Sequence, residues 1–201
     1  MANLNAPRGL VPVRYLDGSA WNGATNMYYI PASDASIYSP GDMVKTVALS
    51  DANGVMGIQK ALGTDTLRGV IVGFLQSAPY QTSLLAPSLD LTLQNIPAVK
   101  TKAYYALVVD DPTVIYEVMD DGLTILNGTS VNKNTSMTVT NPTAPAQNSA
   151  TVLTTASVAV TQSLNFRIMG LVLRDDNAFG QYARWLVRAN QHELIGNTAG
   201  V

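Results

Sequence analysis

Short runs of β-branched and aromatic residues, each cut off by Gly, Pro, Asn or Asp, dominate this chain. Such runs suit the pleated, half-buried surface of a strand. The stops supply the backbone angles of tight turns. The rhythm predicts strands over residues 26–30, 43–49, 55–61 and 66–75. Pro31 ends the first, Ser39-Pro40-Gly41-Asp42 turns into the second, and Asp51-Ala52-Asn53-Gly54 joins the second to the third as a hairpin. Gly69 and Gly73 inside the fourth mark bulges or close backbone approach in a curved sheet.

Residues 77–98, with Pro79, Pro87 and Pro97, read as a long loop with room for one short strand. The clearest strand pair follows at 103–109 and 114–119, bounded by Asp110-Asp111-Pro112 and Asp120-Asp121-Gly122. A polar segment rich in Asn, Thr, Ser and Ala occupies 124–163, with candidate strands at 136–140 and 151–160. A strong strand at 164–173 is broken at Gly170. The last is 182–190, where Arg184 and Arg188 also stand one helical turn apart, but Gly180 and Gly196 frame the segment and favour a strand. The expected fold class is all-β, a jelly roll, β-sandwich or barrel with little helix.

Residues 1–25 are expected to form an extended N-terminal arm on a single β-domain spanning 26–201. Pro7, Gly9, Pro12, Gly18 and Gly23 interrupt any helix there, yet Leu10, Val11, Val13, Tyr15, Leu16 and Trp21 are apolar. A disordered tail is poor in such residues. The arm therefore lies against something, its own domain or a neighbour.

With 201 residues, the chain buries roughly 70% of its unfolded surface and needs no cross-links. It has no cysteine, which excludes disulfides, thiolate metal sites and cysteine nucleophiles. Lys plus Arg is 12 and Asp plus Glu is 14, a net charge of -2 with no basic run, so nucleic acid is not an expected partner. The start lacks the basic-then-apolar pattern of a secretory leader. No apolar run reaches the roughly 18 residues of a spanning helix, so no membrane partner is expected either. Charged residues are only 13% of the chain, about half the usual ~25%. A neutral polar surface suits a protein that lies against other proteins, and equally a β-protein with few long charged side chains.

The inventory for chemistry is thin. His192 is the single histidine, and with Gln191 and Glu193 beside it a surface or interface position is expected. Three acidic doublets stand at 110–111, 120–121 and 175–176. Paired carboxylates serve glycoside hydrolysis, and an oxygen cage serves calcium. Here each doublet precedes a turn residue, Pro112, Gly122 or Asn177, and Asp capping its own turn explains all three. The glycines at 54, 57, 69 and 73 sit in strand-like runs with no helix after them to receive a phosphate. No catalytic residue, metal site or cofactor is expected, and the chain does not read as an enzyme.

Several segments together carry a resemblance. The opening Asn5-Ala6-Pro7-Arg8-Gly9-Leu10-Val11-Pro12-Val13-Arg14-Tyr15-Leu16, followed by Trp21-Asn22-Gly23, resembles the start of a family of tailed-bacteriophage capsid cement (decoration) and minor structural proteins. So do Pro40-Gly41-Asp42-Met43-Val44-Lys45 with Gly69-Val70-Ile71-Val72-Gly73-Phe74, and the block Val108-Val109-Asp110-Asp111-Pro112. Arg174-Asp175-Asp176-Asn177 and the stretch from Ala183 to His192 are similar to its closing strand. The resemblance implies a virion protein on the capsid exterior, assembled in the host cytoplasm, whose partners are the major capsid protein and its own copies as a homo-dimer or homo-trimer. The arm is the expected capsid contact, with Leu10, Val13, Tyr15 and Trp21 as apolar anchors and Arg8 and Arg14 as polar ones. Other readings are a tail or head-closure protein, and a carbohydrate-binding β-sandwich using Trp21, Tyr28, Tyr29 and Tyr80.

Overall fold

The computed structural model describes residues 3–75, 93–143 and 146–195, and the fold is all-β. The expected loop over 77–98 lies outside the described residues as far as position 92, as does Tyr80; beyond it Ile96 is buried and bridges Tyr38. The strands in chain order are β1 (Val11–Tyr15), β2 (Asn26–Ile30), β3 (Met43–Ser50), β4 (Met56–Lys60), β5 (Gly69–Phe74) and β6 (Tyr104–Val109). After them come β7 (Val114–Met119), β8 (Asn134–Thr135), β9 (Met137–Thr138), β10 (Val152–Leu153), β11 (Phe166–Leu171) and β12 (Arg184–Ala189). Helix among the described residues is limited to two 3₁₀ turns, Gly128–Ser130 and Thr155–Ser157.

Two main bodies of sheet form, with a two-stranded β10-β9 ribbon beside them. A small barrel closes in the order β2-β4-β3-β5-β6, and an antiparallel sheet runs β1-β7-β12-β11-β8. The Asp51 to Gly54 hairpin forms as its sequence predicts, with Gly54 at φ +83 and its N–H bonded to Asp51 O. The register of β5 on β6 shifts between Ile71 and Gly73, and that of β11 on β12 shifts between Ile168 and Gly170. Both predicted breaks are therefore bulges, which bend the strand locally. In β12 half-buried and buried positions alternate strictly, and Trp185, Val187 and Ala189 enter the core. A period of two is strand geometry, so the arginines at 184 and 188 share the opposite face.

One pairing differs from the simplest reading of the sequence. Strands β6 and β7 are neighbours in the chain but not in a sheet: β6 pairs with β2 and β5, β7 with β1 and β12. The Asp110 to Thr113 turn is a crossing from barrel to sheet. Tyr116 Oη donating to Val109 O (3.2 Å) ties its two sides together.

Of the two places open to the N-terminal arm, residues 3–25 take the chain's own domain. Val11 to Tyr15 is the edge strand of the sheet on β7, and Leu10 is buried in the core shared by sheet and barrel. The chain then doubles back and covers its own edge, with Tyr15 N–H bonding Ser19 O and Trp21 N–H bonding Val13 O. Where this segment meets the domain, Gly9 and Gly41 lie backbone to backbone at positive φ, +66 and +91, and Leu10 N–H bonds Gly41 O at 3.1 Å. A Cβ on Gly9 would sit 2.5 Å from Gly41 O, and one on Gly41 would collide with Arg8 O. Gly54 is also at positive φ but has open space around it. Gly41→Ala is therefore expected to lower the unfolding free energy by about 3 kcal/mol, against about 1 kcal/mol for Gly54→Ala, where only backbone strain is at stake. Urea denaturation of the two variants checks the difference.

Candidate functional site

Strand β7 is buried along its whole length, yet it carries one charge, Glu117. A carboxylate so placed needs partners, and it has three. Glu117 Oε1 accepts from Arg8 Nη2 at 3.1 Å and Arg184 Nη1 at 3.4 Å, and Oε2 accepts from Arg174 Nη1 at 3.2 Å. Arg184 comes from the neighbouring strand β12, Arg174 from the loop after β11, and Arg8 from the segment leading into β1. Asp176 takes Arg174 Nε at 3.1 Å, and Arg184 Nη2 donates to Ala6 O at 2.9 Å. Burial and then the adjacent Arg8 pull Arg184 below its ordinary range, with Glu117 opposing them.

These residues line a cleft of about 660 Å³ with Asn3, Leu4, Asn177 and Tyr182. Its wall is built locally. The Asn3 amide bonds Ala178 O and Gln181 O, both at 2.9 Å, and Ala178 N–H returns a bond to Asn3 Oδ1. Asn177 donates from Nδ2 to Val172 O and Arg184 O, closing the turn that carries Arg174. Gln181 reaches Gly122 O at 3.0 Å, and the Tyr182 ring packs against Gly122. Four large apolar side chains are left exposed on the converging segments: Leu4, Leu123, Leu173 and Phe179.

The six side chains singled out from the sequence divide. Arg8 enters the cleft. Leu10 is buried in the core and is unavailable to a partner, a correction that follows from the docking of β1. Val13 and Arg14 are exposed on the edge strand. Tyr15 and Trp21 are half-buried, packing on the core, with the Tyr15 hydroxyl donating to Asn22 Oδ1 and Trp21 Nε1 donating to Ala24 O. Tyr28, offered as a sugar platform, is buried: its ring carries Arg68 at 5.4 Å and its hydroxyl donates to Asp110. Glu117, Arg174 and Arg184 went unassigned. The one signal for them was a lone carboxylate inside an unbroken apolar run.

The first two acidic doublets do cap turns, and the first residue of each goes deeper; in the third, Asp176 pairs with Arg174 instead. Asp111 takes Thr113 N–H, and Asp121 takes Leu123 N–H together with the Thr155 hydroxyl. Asp110 is buried and accepts from Tyr28 Oη (2.5 Å), Asn26 Nδ2 (2.9 Å) and Arg68 Nη2 (3.4 Å). Burial and then Asp110 push the Tyr28 hydroxyl well above its ordinary range, which makes it a fixed donor and a poor acid. Asp120 is buried against Trp185 Nε1 at 3.0 Å; burial raises its carboxyl, and the bonds from Trp185 and Gly122 oppose that rise. Among the described residues no group of three or more His, Asp and Glu side chains is placed to hold a metal ion. No helix among them is long and apolar enough to cross a membrane.

His192 is not at the surface. It is buried where the tail of β12 meets the barrel, with Leu67 N–H bonding Gln191 O and Glu193 N–H bonding Leu67 O. Its Nδ1 accepts from Leu194 N–H at 3.1 Å. The Glu193 carboxylate clamps Thr46 N–H and Oγ1, each at 2.9 Å. Burial and then the Arg68 charge pull the imidazole down to about 4 from 6.5. Between those values the unfolded chain holds a proton that the folded chain refuses, so stability falls as pH drops through the window. His192 is expected to account for about 2 kcal/mol of lost stability between pH 7 and pH 5, a dependence that His192→Gln abolishes in paired denaturation curves. Glu117→Ala, which leaves three guanidinium groups facing one another, is expected to cost about 2–3 kcal/mol. Arg174→Ala, removing a 39% exposed side chain, should cost less than about 1 kcal/mol in the same assay. Comparison with family models, with curated proteins and with solved structures finds no match to this chain.

Proposed function

We propose that this chain is a virion structural protein that binds the outside of a phage capsid and stabilises it by bridging capsid subunits. The ordered sequence blocks that resemble those of tailed-phage cement proteins support that reading. The observation that carries it furthest is the exposed set Val13, Arg14 and Leu16 along and just beyond the β1 edge, together with the cleft lined by Leu4, Arg8, Arg174 and Arg184. Arginine beside large apolar side chains is the composition of energetically dominant protein contacts. Exposed apolar side chains gathered at one end of a sheet mark an interaction surface.

On this reading the partners are the major capsid protein and further copies of the chain, placed as a homo-dimer or homo-trimer at the symmetry axes of the shell. Each bridge buries a surface of the standard class, about 800 Å² per partner. Pulling two shell subunits apart must then break the contacts of the cement as well. Because the complete binding surface exists only on the assembled lattice, occupancy shifts the equilibrium toward the intact shell.

β1 is part of the sheet, so the test uses exposed point variants and leaves the segment in place. Quantitative mass spectrometry of purified particles is expected to find the chain at hundreds of copies. Val13→Asp and Arg14→Glu should lower that occupancy while the circular dichroism melt of the free protein stays unchanged. A few to some dozens of copies would place the chain in a tail or head-closure station. Absence from the particles would end the virion reading.

A further inference from the structure

The cleft beside Glu117 holds more donor capacity than the fold consumes. Three guanidinium groups meet two carboxylates, Glu117 and Asp176, which leaves one positive charge in surplus on a molecule whose net charge is -2. A guanidinium offers five N–H donors in a rigid fork. Among the described residues Arg8 engages only Nη2 and Arg174 only Nε and Nη1. Arg8 and Arg174 are 45% and 39% exposed at the side chain, and Arg184 is 14% exposed. Two forks thus face the cleft with unused donors, while Glu117, fixed on a buried strand, sets their orientation.

The rim decides what kind of anion fits. Leu4 lines the cleft and is 75% exposed, and Leu173, directly before Arg174, is 90% exposed. A free inorganic anion gains nothing from such a border. A side-chain carboxylate between apolar residues would use both parts, taking bidentate bonds from the forks and covering Leu4 and Leu173. We infer that this cleft docks a polypeptide segment of a partner protein that presents an Asp or Glu side chain flanked by apolar residues. The docking site stands whether or not the partner is a capsid subunit, because its argument uses only charge and rim.

The test selects a random peptide library on the immobilised full-length protein. Selected peptides are expected to share an acidic residue with apolar neighbours. Replacing that residue by its amide should weaken binding about tenfold or more, the loss of a charge-assisted bond of at least about 1.4 kcal/mol. Arg174→Gln should weaken it to the same extent, and Leu173→Ser, a change at a side chain that supports no packing, several-fold. Selection of peptides without an acid, equal binding of the amide form, or binding indifferent to both variants would overturn the inference. So would inorganic phosphate displacing the peptide as well as its own carboxylate form does, which would mark a small-anion site only. These outcomes read peptide affinity, whereas the virion proposal is read by particle occupancy, so the two can fail separately.

Discussion

The molecule depends on a wall of strands that is apolar on both faces. Neighbouring residues of β3, β5 and β6 point into different cores: Met43, Val70 and Val109 join the cluster under the sheet, while Val44, Ile71 and Val108 fill the barrel. A strand buried on both sides cannot alternate apolar with polar, which is why β5 and β6 read as nearly continuous apolar runs. The close packing leaves no room beside Gly69, whose missing side chain lets β5 press against the Val109 carbonyl. Acidic groups at the ends of the wall are paired. Asp42 faces Lys60 at 2.7 Å and takes Ser39 N–H at 2.8 Å, and Asp110 takes Tyr28 and Arg68.

That wall also sets the position of the cleft. Because β6 is locked between two cores, the crossing at Asp110 delivers β7 into the middle of the sheet as a fully buried strand. Glu117 is thereby held on one of the most rigid supports available. Three arginines from distant parts of the chain are oriented around it at no cost when a partner arrives. Binding surfaces gain from such pre-organisation because side-chain ordering otherwise opposes association. The segment carrying Arg8 is equally fixed, since Gly9 and Gly41 meet with no space between their backbones.

Strand positions were legible in the sequence because β-branched content and turn residues are local signals; β2 is bounded where Pro31 and the preceding polar run put it. Partnership was not legible. Asp-Asp-Pro between two apolar runs serves a hairpin or a crossing equally well, and only tertiary packing chooses. The destination of the arm was open for a similar reason, since Pro12 and the glycines describe an extended chain whether its own domain or a neighbour receives it. His192 was hidden by polar neighbours, Gln191 and Glu193, whose side chains bond Gln162 O and Thr46 while the imidazole is buried. The arginine cluster left one trace, a Glu between Tyr116 and Val118. A lone charge in a buried strand is almost always paired, but the partners stand 57 to 109 positions away in the chain, and no local pattern points to them.

The low charge of the chain acquires a physical meaning once the ion pairs are placed. Asp42 with Lys60, Arg68 with Asp110, Lys100 with Asp34, and Glu117 with its arginines all hold charges in internal work. The surface open to partners is therefore poorer in free charge than the 13% composition implies, and its polar character rests on Asn, Thr, Ser and Gln. Neutral amides and hydroxyls cost far less to strip of water than ammonium or carboxylate groups do. A face of this kind can be covered over a large area without burying unpaired charge. Directional electrostatic recognition is then left to the few places where charge remains in surplus, and the cleft between Arg8 and Arg174 is one such place.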